Sequence, residues 1–254
     1  MPTADHLAGL FGGRLEVRGP APAAIAAVVT DSRQAGPGTA FVAVRGEHDD
    51  GHRFVADAAR RGASLAVVGQ GWEGAGEEPG PPALVHVEDT ATALRRACRA
   101  RLDELGCRVA GITGSVGKTT AKEMTAHVLG RGAARTPGNL NTWTGVPCSV
   151  LSLRGEPDIL VAELAMSAPG EIADLAAMTR PQVGVLLNIG VSHIELMGSQ
   201  DAIADAKAEL LDALPLDGVA VLNAGDPQIA RVASRARSRV WWFGTDEGIA
   251  EPAV

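Results

Sequence analysis

At 254 residues, 46% of them hydrophobic, the chain has enough apolar material for two modest domains or one large one. A net charge of −7 with no block of Lys or Arg argues against a nucleic-acid backbone as the main partner, and no apolar run approaches the ~20 residues that span a bilayer. The amino terminus has no basic segment followed by an apolar core, and the three cysteines, Cys98, Cys107 and Cys148, have no metal-type spacing. Cys107 and Cys148 sit among apolar residues. A cytoplasmic protein with reduced core thiols is therefore expected, with no membrane and no nucleic-acid partner.

The first part of the chain, residues 1 to about 87, reads as short strands and many turns. Strands are predicted at 40–44, 64–68 and 83–87, and a helix over 51–61. The stretch 69–82 is rich in Gly, Glu and Pro and reads as a loop. Asp89 and Thr90 then cap a helix to about Leu105, with Leu94, Ala97, Cys98 and Leu102 on one face. Beyond residue 107 apolar strands alternate with helices. The strands are 107–113, 158–164, 183–190, 218–223 and 239–243; the helices are about 118–130, 170–178, 200–213 and 226–236. Near-continuous apolar strands separated by helices predict an α/β fold with a buried, mostly parallel sheet. Such sheets bind ligands at the carboxyl ends of their strands.

The most informative segment lies at such an end. Val109 to Thr113 is a β-type run, Gly114-Ser115-Val116-Gly117 is a glycine turn, and a helix opens at Lys118-Thr119-Thr120. Glycines let backbone N–H groups curl around phosphate oxygens, and the helix terminus adds its positive dipole. Lys118 can reach the outer phosphates and the Thr119 hydroxyl can hold Mg²⁺. The general pattern G-x-x-x-x-G-K-[ST] is missed by one residue, because position 112 is Ile and the upstream glycine is Gly111. Met124, Val128 and Leu129 suggest an amphipathic helix after the loop.

Glu163 closes the apolar run Ile159 to Ala162. A carboxylate there is either solvated at a strand tip or holds a cation. Beside a phosphate loop it suits Mg²⁺, which takes one or two protein carboxylates and otherwise phosphate and water. His193 follows the strand ending Asn188-Ile189-Gly190 and is either a structural residue or a ligand; its neighbour Glu195 reads as solvated. Lys207 and Lys122 read as ordinary surface lysines. Asn139 and Asn141 either shape a turn or face substrate.

These segments together resemble the Mur ligase family, whose own phosphate loop has the spacing of Gly111 to Thr120. Asp31-Ser32-Arg33, Pro37 to Gly46 and Asp50-Gly51-His52 resemble its amino-terminal UDP-sugar-binding domain. Lys118 to Glu123, Asn139-Leu140-Asn141 through Gly145-Val146-Pro147, Pro169-Gly170-Glu171-Ile172, and Asn188 to Glu195 with Lys207-Ala208-Glu209 resemble its central domain. Asn141 is followed by Thr142, where the family often has a second Asn.

The resemblance implies a domain at 1–87 that binds a UDP-muramoyl peptide and an incomplete ATP-binding domain at 88–254. The carboxy-terminal ligase domain would lie outside this chain. It implies ATP and Mg²⁺ as cofactors, and UDP-N-acetylmuramoyl-tripeptide and D-alanyl-D-alanine as substrates. The protein is expected to be a monomer that forms an amide through an acyl phosphate in peptidoglycan precursor synthesis. On this view the chain is a fragment or shortened form that does not complete ligation by itself. Residues 114–120 would bind nucleotide and Ser32, Arg33, Asn139 and Asn141 substrate. Thr119, Glu163 and His193 would hold metal, and Lys118, His193 and Lys207 would act in catalysis. Lys207 matches a position that the family carries as a carbamate. Two unit charges at 4 Å are worth about 4 kcal/mol at an effective dielectric of 20, so a carbamate beside Mg²⁺ is favoured over an ammonium. The alternative is a non-catalytic module that binds nucleotide or UDP-sugar. The segment from Asn139 to Pro147 argues against a relative that adds a single amino acid or a glutamate tail.

Overall fold

A computed structural model describes all residues except 21–23, 47–48, 73, 75–79, 191–196 and 246–254. The chain divides into two compact units: Met1–Glu104 with Pro147–Gly155, and Leu105–Val146 with Glu156–Val254.

The first unit holds a five-stranded sheet of β1 (Arg14–Val17), β2 (Ala27–Val29), β3 (Thr39–Val42), β4 (Leu65–Gly69) and β5 (Ala83–Val87), ordered β1-β5-β4-β3-β2. Only the β1–β5 pair is antiparallel. Helices α1 (Ala4–Phe11), α2 (Val55–Arg60) and α3 (Thr90–Leu105) belong to it. The sequence division at 87/88 put α3 with the second domain. Its apolar stripe, Ala93, Leu94 and Ala97, instead packs with Leu7, Phe11, Val67 and Val85 in the core of the first unit. Cys148 and Leu151, at the end of α5 (Gly145–Leu151), join the same core. All three cysteines are buried thiols outside any disulfide, and burial pushes the Cys98 and Cys148 thiols up to about 12.

The second unit is a six-stranded parallel sheet in the order β11-β10-β9-β6-β8-β7. Its strands are β6 (Arg108–Thr113), β7 (Ala133–Arg135), β8 (Ile159–Glu163), β9 (Val183–Leu186), β10 (Val219–Asn223) and β11 (Arg239–Phe243). Its helices are α4 (Lys118–Leu129), α6 (Glu171–Thr179), α7 (Gln200–Asp212) and α8 (Pro227–Val232). The chain leaves β6 toward β8 on one side, and β9 lies on the other. A crevice at the carboxyl end of β6 follows from that reversal of strand order.

The sequence stretch 183–190 was read as one strand, but pairing stops at Leu186. The following residues bend to meet the loop after β6, and their polar groups are spent there. Ile189 N donates to Asp226 Oδ2 at 2.7 Å, and Asp226 Oδ1 also caps α8 through Gln228 N and Ile229 N. Asp226→Ala is expected to cost about 1–2 kcal/mol, because it removes a helix cap and a bond to the β9 turn together. The shift of the urea midpoint measures it. Among the described residues no helix is long and apolar enough to cross a membrane.

Candidate nucleotide site

The site is built at the carboxyl ends of β6, β8 and β9. Parallel register places Ile112 beside Glu163 and Thr113 beside Leu186, so the loop after Thr113 emerges between those two strand tips. Gly114 passes close to β9: a Cβ there would stand 3.0 Å from Leu187 Cβ. Gly117 has φ +80° and forms the N-terminus of α4, a conformation that favours glycine.

The N-cap of α4 is Gly117, which has no side chain to cap the helix, and among the described residues no other side chain is hydrogen-bonded to its first amides. The contrast with α6 is informative. There Glu209 of α7 accepts from Gly170 N and Ala173 N at 2.8 and 2.9 Å, filling the N-terminus with a carboxylate. At α4 the same dipole faces the strand-end crevice without such a partner, as an anion site requires.

Asn188 holds the front of the loop. Its Oδ1 accepts from Ser115 N at 3.0 Å and Val116 N at 2.9 Å, and its Nδ2 donates to Val116 O at 3.0 Å. Ser115 Oγ accepts from Gly190 N at 2.8 Å. The sequence reading assigned the Ser115 and Val116 amides to nucleotide; here both bond Asn188. Asn188→Ala is expected to weaken ADP binding roughly tenfold by releasing the loop geometry, at little cost in stability. Calorimetry beside a melting curve checks it.

Lys118 is half-buried. Its Nζ donates to Gly114 O at 2.8 Å and Ser115 O at 3.3 Å, which folds it over the loop. Burial lowers its pKa, partly offset by the Glu163 charge. Lys207, read from sequence as an exposed lysine by default, is 2% exposed. Its Nζ donates to the same Gly114 carbonyl at 3.2 Å. Burial, and then the Lys118 charge, lowers its pKa to about 8.

Glu163 is 2% exposed and fully engaged. Its Oε2 accepts from Thr119 Oγ1 at 2.8 Å, and its Oε1 from Asn141 Nδ2 at 2.8 Å. Thr136 Oγ1 accepts from Glu163 N at 3.1 Å, fixing the strand tip. The structure therefore brings Thr119, Asn141 and Glu163 together. Asn139 is exposed on the same turn, where its carbonyl accepts from Asn141 N at 2.8 Å. His193 and Glu195 lie outside the described residues.

The donor chemistry suits a small hard cation. Thr119 and Glu163 offer one hydroxyl and one carboxylate, leaving phosphate and water to complete an octahedron. Among the described residues no group of three or more His, Cys, Asp or Glu could hold a metal alone. Beside Asn141, a cavity of about 420 Å³ is lined by Thr142, Trp143, Ala165, Met166, Ser167 and Glu171.

Met124, Val128 and Leu129, which the sequence pattern predicts as the apolar side of α4, face outward instead: Met124 is 63% and Val128 83% exposed. The buried side is Lys122 and Ala126, with Ala126 against Ile112 and Val161. Lys122 was read as a surface lysine, yet it is wholly buried, 3.5 Å from Glu163 Oε2.

In the first unit Ser32 Oγ donates to Asp57 Oδ2 at 2.8 Å, and the exposed Arg33 guanidinium folds onto Asp31. His52 Nε2 accepts from Gly69 N at 2.8 Å, so its Nδ1 carries the proton donated to Asp50 Oδ1 at 2.6 Å. A polar cavity of about 370 Å³ opens beside them, lined by Arg45, Asp50, His52, Trp72, Asp89 and Thr90 among others.

The model of the Mur ligase middle domain matches residues 112–252, and that of the Mur ligase family catalytic domain matches residues 24–101. The UDP-N-acetylmuramoyl-tripeptide–D-alanyl-D-alanine ligase of Bacillus subtilis (strain 168) is 39% identical over 223 residues, 86% of this chain and 47% of that protein. A crystal structure of MurF from Acinetobacter baumannii matches with a TM-score of 0.80 at 34% identity, over 95% of this chain and 53% of that one. MurF ligase from Thermotoga maritima in complex with ADP matches with a TM-score of 0.71 at 33% identity, over 87% of this chain and 50% of that one. The chain spans about half the length of the curated relatives it matches. The middle-domain match takes in the loop, Glu163 and Lys207 and extends over more than half of the sequence, and on that ground the chain belongs to the Mur ligase family.

Proposed function

We propose that the chain carries the nucleotide-binding and UDP-peptide-binding parts of a ligase that joins D-alanyl-D-alanine to UDP-N-acetylmuramoyl-tripeptide at the expense of ATP. The observation that carries this reading is the α4 terminus, without a side-chain cap among the described residues, with Thr119 bonded to a buried strand-tip carboxylate. The ADP-bound relative and the similarity to the B. subtilis ligase support it.

In this reading the peptide's terminal carboxylate attacks the γ-phosphorus of ATP, ADP leaves, and an acyl phosphate forms. The amine of D-alanyl-D-alanine then attacks the acyl carbon, phosphate departs, and an amide results. The chain's part in the first step is positioning and charge neutralisation. The α4 amides hold phosphate oxygens. Lys118 turns from the Gly114 and Ser115 carbonyls onto the outer phosphates. Thr119 and Glu163 would hold Mg²⁺, with His193 assigned by resemblance. When bound, the ion neutralises charge on the phosphates. Lys207 Nζ takes up CO₂ with loss of a proton and becomes an anionic ligand. Asn139 and Asn141 contact the acyl substrate, and Ser32 and Arg33 the UDP-sugar.

Calorimetric titration with ADP plus Mg²⁺, and separately with UDP-N-acetylmuramoyl-tripeptide, tests the binding claims. Both are expected to bind. Failure of the nucleotide to bind overturns the reading. Phosphate release that requires the tripeptide and D-alanyl-D-alanine together is expected of a protein with the relatives' full length, of which this chain matches about half. Both ligands binding to that full-length protein without such release would favour a non-catalytic binding module. Release with a single amino acid in place of the dipeptide contradicts the substrate assignment.

A further inference from the structure

Lys122 has no part in the reading above, yet no other lysine is as deeply buried among the described residues. Its Nζ donates to Gly138 O at 2.7 Å and lies 3.5 Å from Glu163 Oε2 and 3.5 Å from Glu123 Oε1. Glu123 is half-exposed and also pairs with Arg135. Lys122 is therefore the cation at ion-pair distance from the buried Glu163 carboxylate on its inner side, while Lys118, on the loop side, acts on the same charge from farther away. The remaining partners of that carboxylate, Thr119 and Asn141, are neutral donors.

We propose that Lys122 is a positioning residue that sets when a divalent cation can bind. It balances the Glu163 charge, so a bare dication meets a neutral pair with the Lys118 ammonium nearby. The polyphosphate of a nucleotide supplies the negative charge that tips the balance. The metal is then retained only as part of a metal–nucleotide complex. This inference rests on the nucleotide-site reading. The physical basis is Coulombic: in a buried setting of low effective dielectric, a unit charge a few ångströms from a dication shifts its affinity by large factors. Lys122 also ties the 136–141 turn to α4 through Gly138, which keeps Asn141 on Glu163.

The test is electron paramagnetic resonance of Mn²⁺ with the chain in CO₂-free buffer, which keeps Lys207 an amine throughout. Wild type is expected to hold Mn²⁺ weakly alone and tightly with ADP. Lys122→Met is expected to bind Mn²⁺ alone at least about tenfold more tightly than wild type, whereas Lys122→Arg, which keeps the charge, shows no such gain. If circular dichroism shows that Lys122→Met does not fold, Lys122→Gln gives the same readout, because its amide can still donate to Gly138. Adding Glu163→Gln to either neutral variant is expected to abolish the gain. Equal Mn²⁺ affinity in wild type and the neutral variants overturns the proposal, and so does tight binding of bare Mn²⁺ to the wild type. Failure of ADP with Mn²⁺ to bind wild type would instead sink the nucleotide-site reading.

Discussion

In a protein of the relatives' full length, Lys118→Ala is expected to lower ATP-dependent phosphoryl transfer by about 10²–10³-fold, the scale set by loss of one preorganised charge donor. Lys118 is the first residue of α4, where its ammonium and the helix dipole act on the same anion. In this structure the ammonium is satisfied by two loop carbonyls. Transfer to phosphate exchanges those neutral acceptors for a charged one, which adds ion-pair attraction to the hydrogen bond. Fold and melting temperature are expected to change little, because the side chain is only half-buried and its bonds are local. Initial-rate kinetics with calorimetry of ADP binding checks both halves. A variant with unchanged nucleotide affinity and unchanged rate would remove Lys118 from the site.

In the same full-length setting, Lys207→Ala is expected to lose about 10²-fold or more in rate, with partial recovery on adding bicarbonate or a short carboxylic acid that fills the space left. Lys207 is 2% exposed, and its pKa is lowered to about 8, by burial first and by the Lys118 charge second. Only the neutral amine attacks CO₂. At pH 7.5 roughly a quarter of such a group is neutral, against about one in a thousand for an unperturbed lysine. The sign follows. At fixed dissolved CO₂, carbamate occupancy rises with pH through about 8 and falls toward acid, where the ammonium is restored. Carbon-13 NMR with labelled CO₂ reads the occupancy directly, and its pH profile should parallel the rate. Full activity of Lys207→Ala, or no labelled carbamate on the wild type, contradicts the role.

The parallel sheet and the glycine turn that opens α4 were legible in the sequence because their signals are local. An apolar run, two glycines at fixed offsets and a helix opening on Lys118 are all contained between Val109 and Leu129. Glu163 was visible as a lone carboxylate ending a buried strand. The short elements were not visible: β2 and β7 have three residues each, too few to show alternation. Helix α5 was hidden by Pro147, which sits in its first turn, where the missing N–H costs nothing.

The face of α4 was misread because hydrophobicity was taken as a guide to burial. Met124 and Val128 lie one turn apart and outward, while the inward position is held by a lysine whose partner, Glu163, is remote in sequence. Asn188 was missed for the same reason. Its three bonds reach back 72 or 73 residues, and no local pattern announces them. Lys207 entered only through resemblance, because burial of a helix lysine is set by what packs over it.

The most direct measurement is a crystal structure of the chain with ADP and Mn²⁺, with the metal located by its anomalous signal. The expected result is diphosphate density against the α4 amides and Lys118, with the manganese peak about 2–2.5 Å from Thr119 Oγ1 or a Glu163 oxygen. Nucleotide bound away from the 114–120 loop, or a metal peak remote from both Thr119 and Glu163, would contradict the assignment.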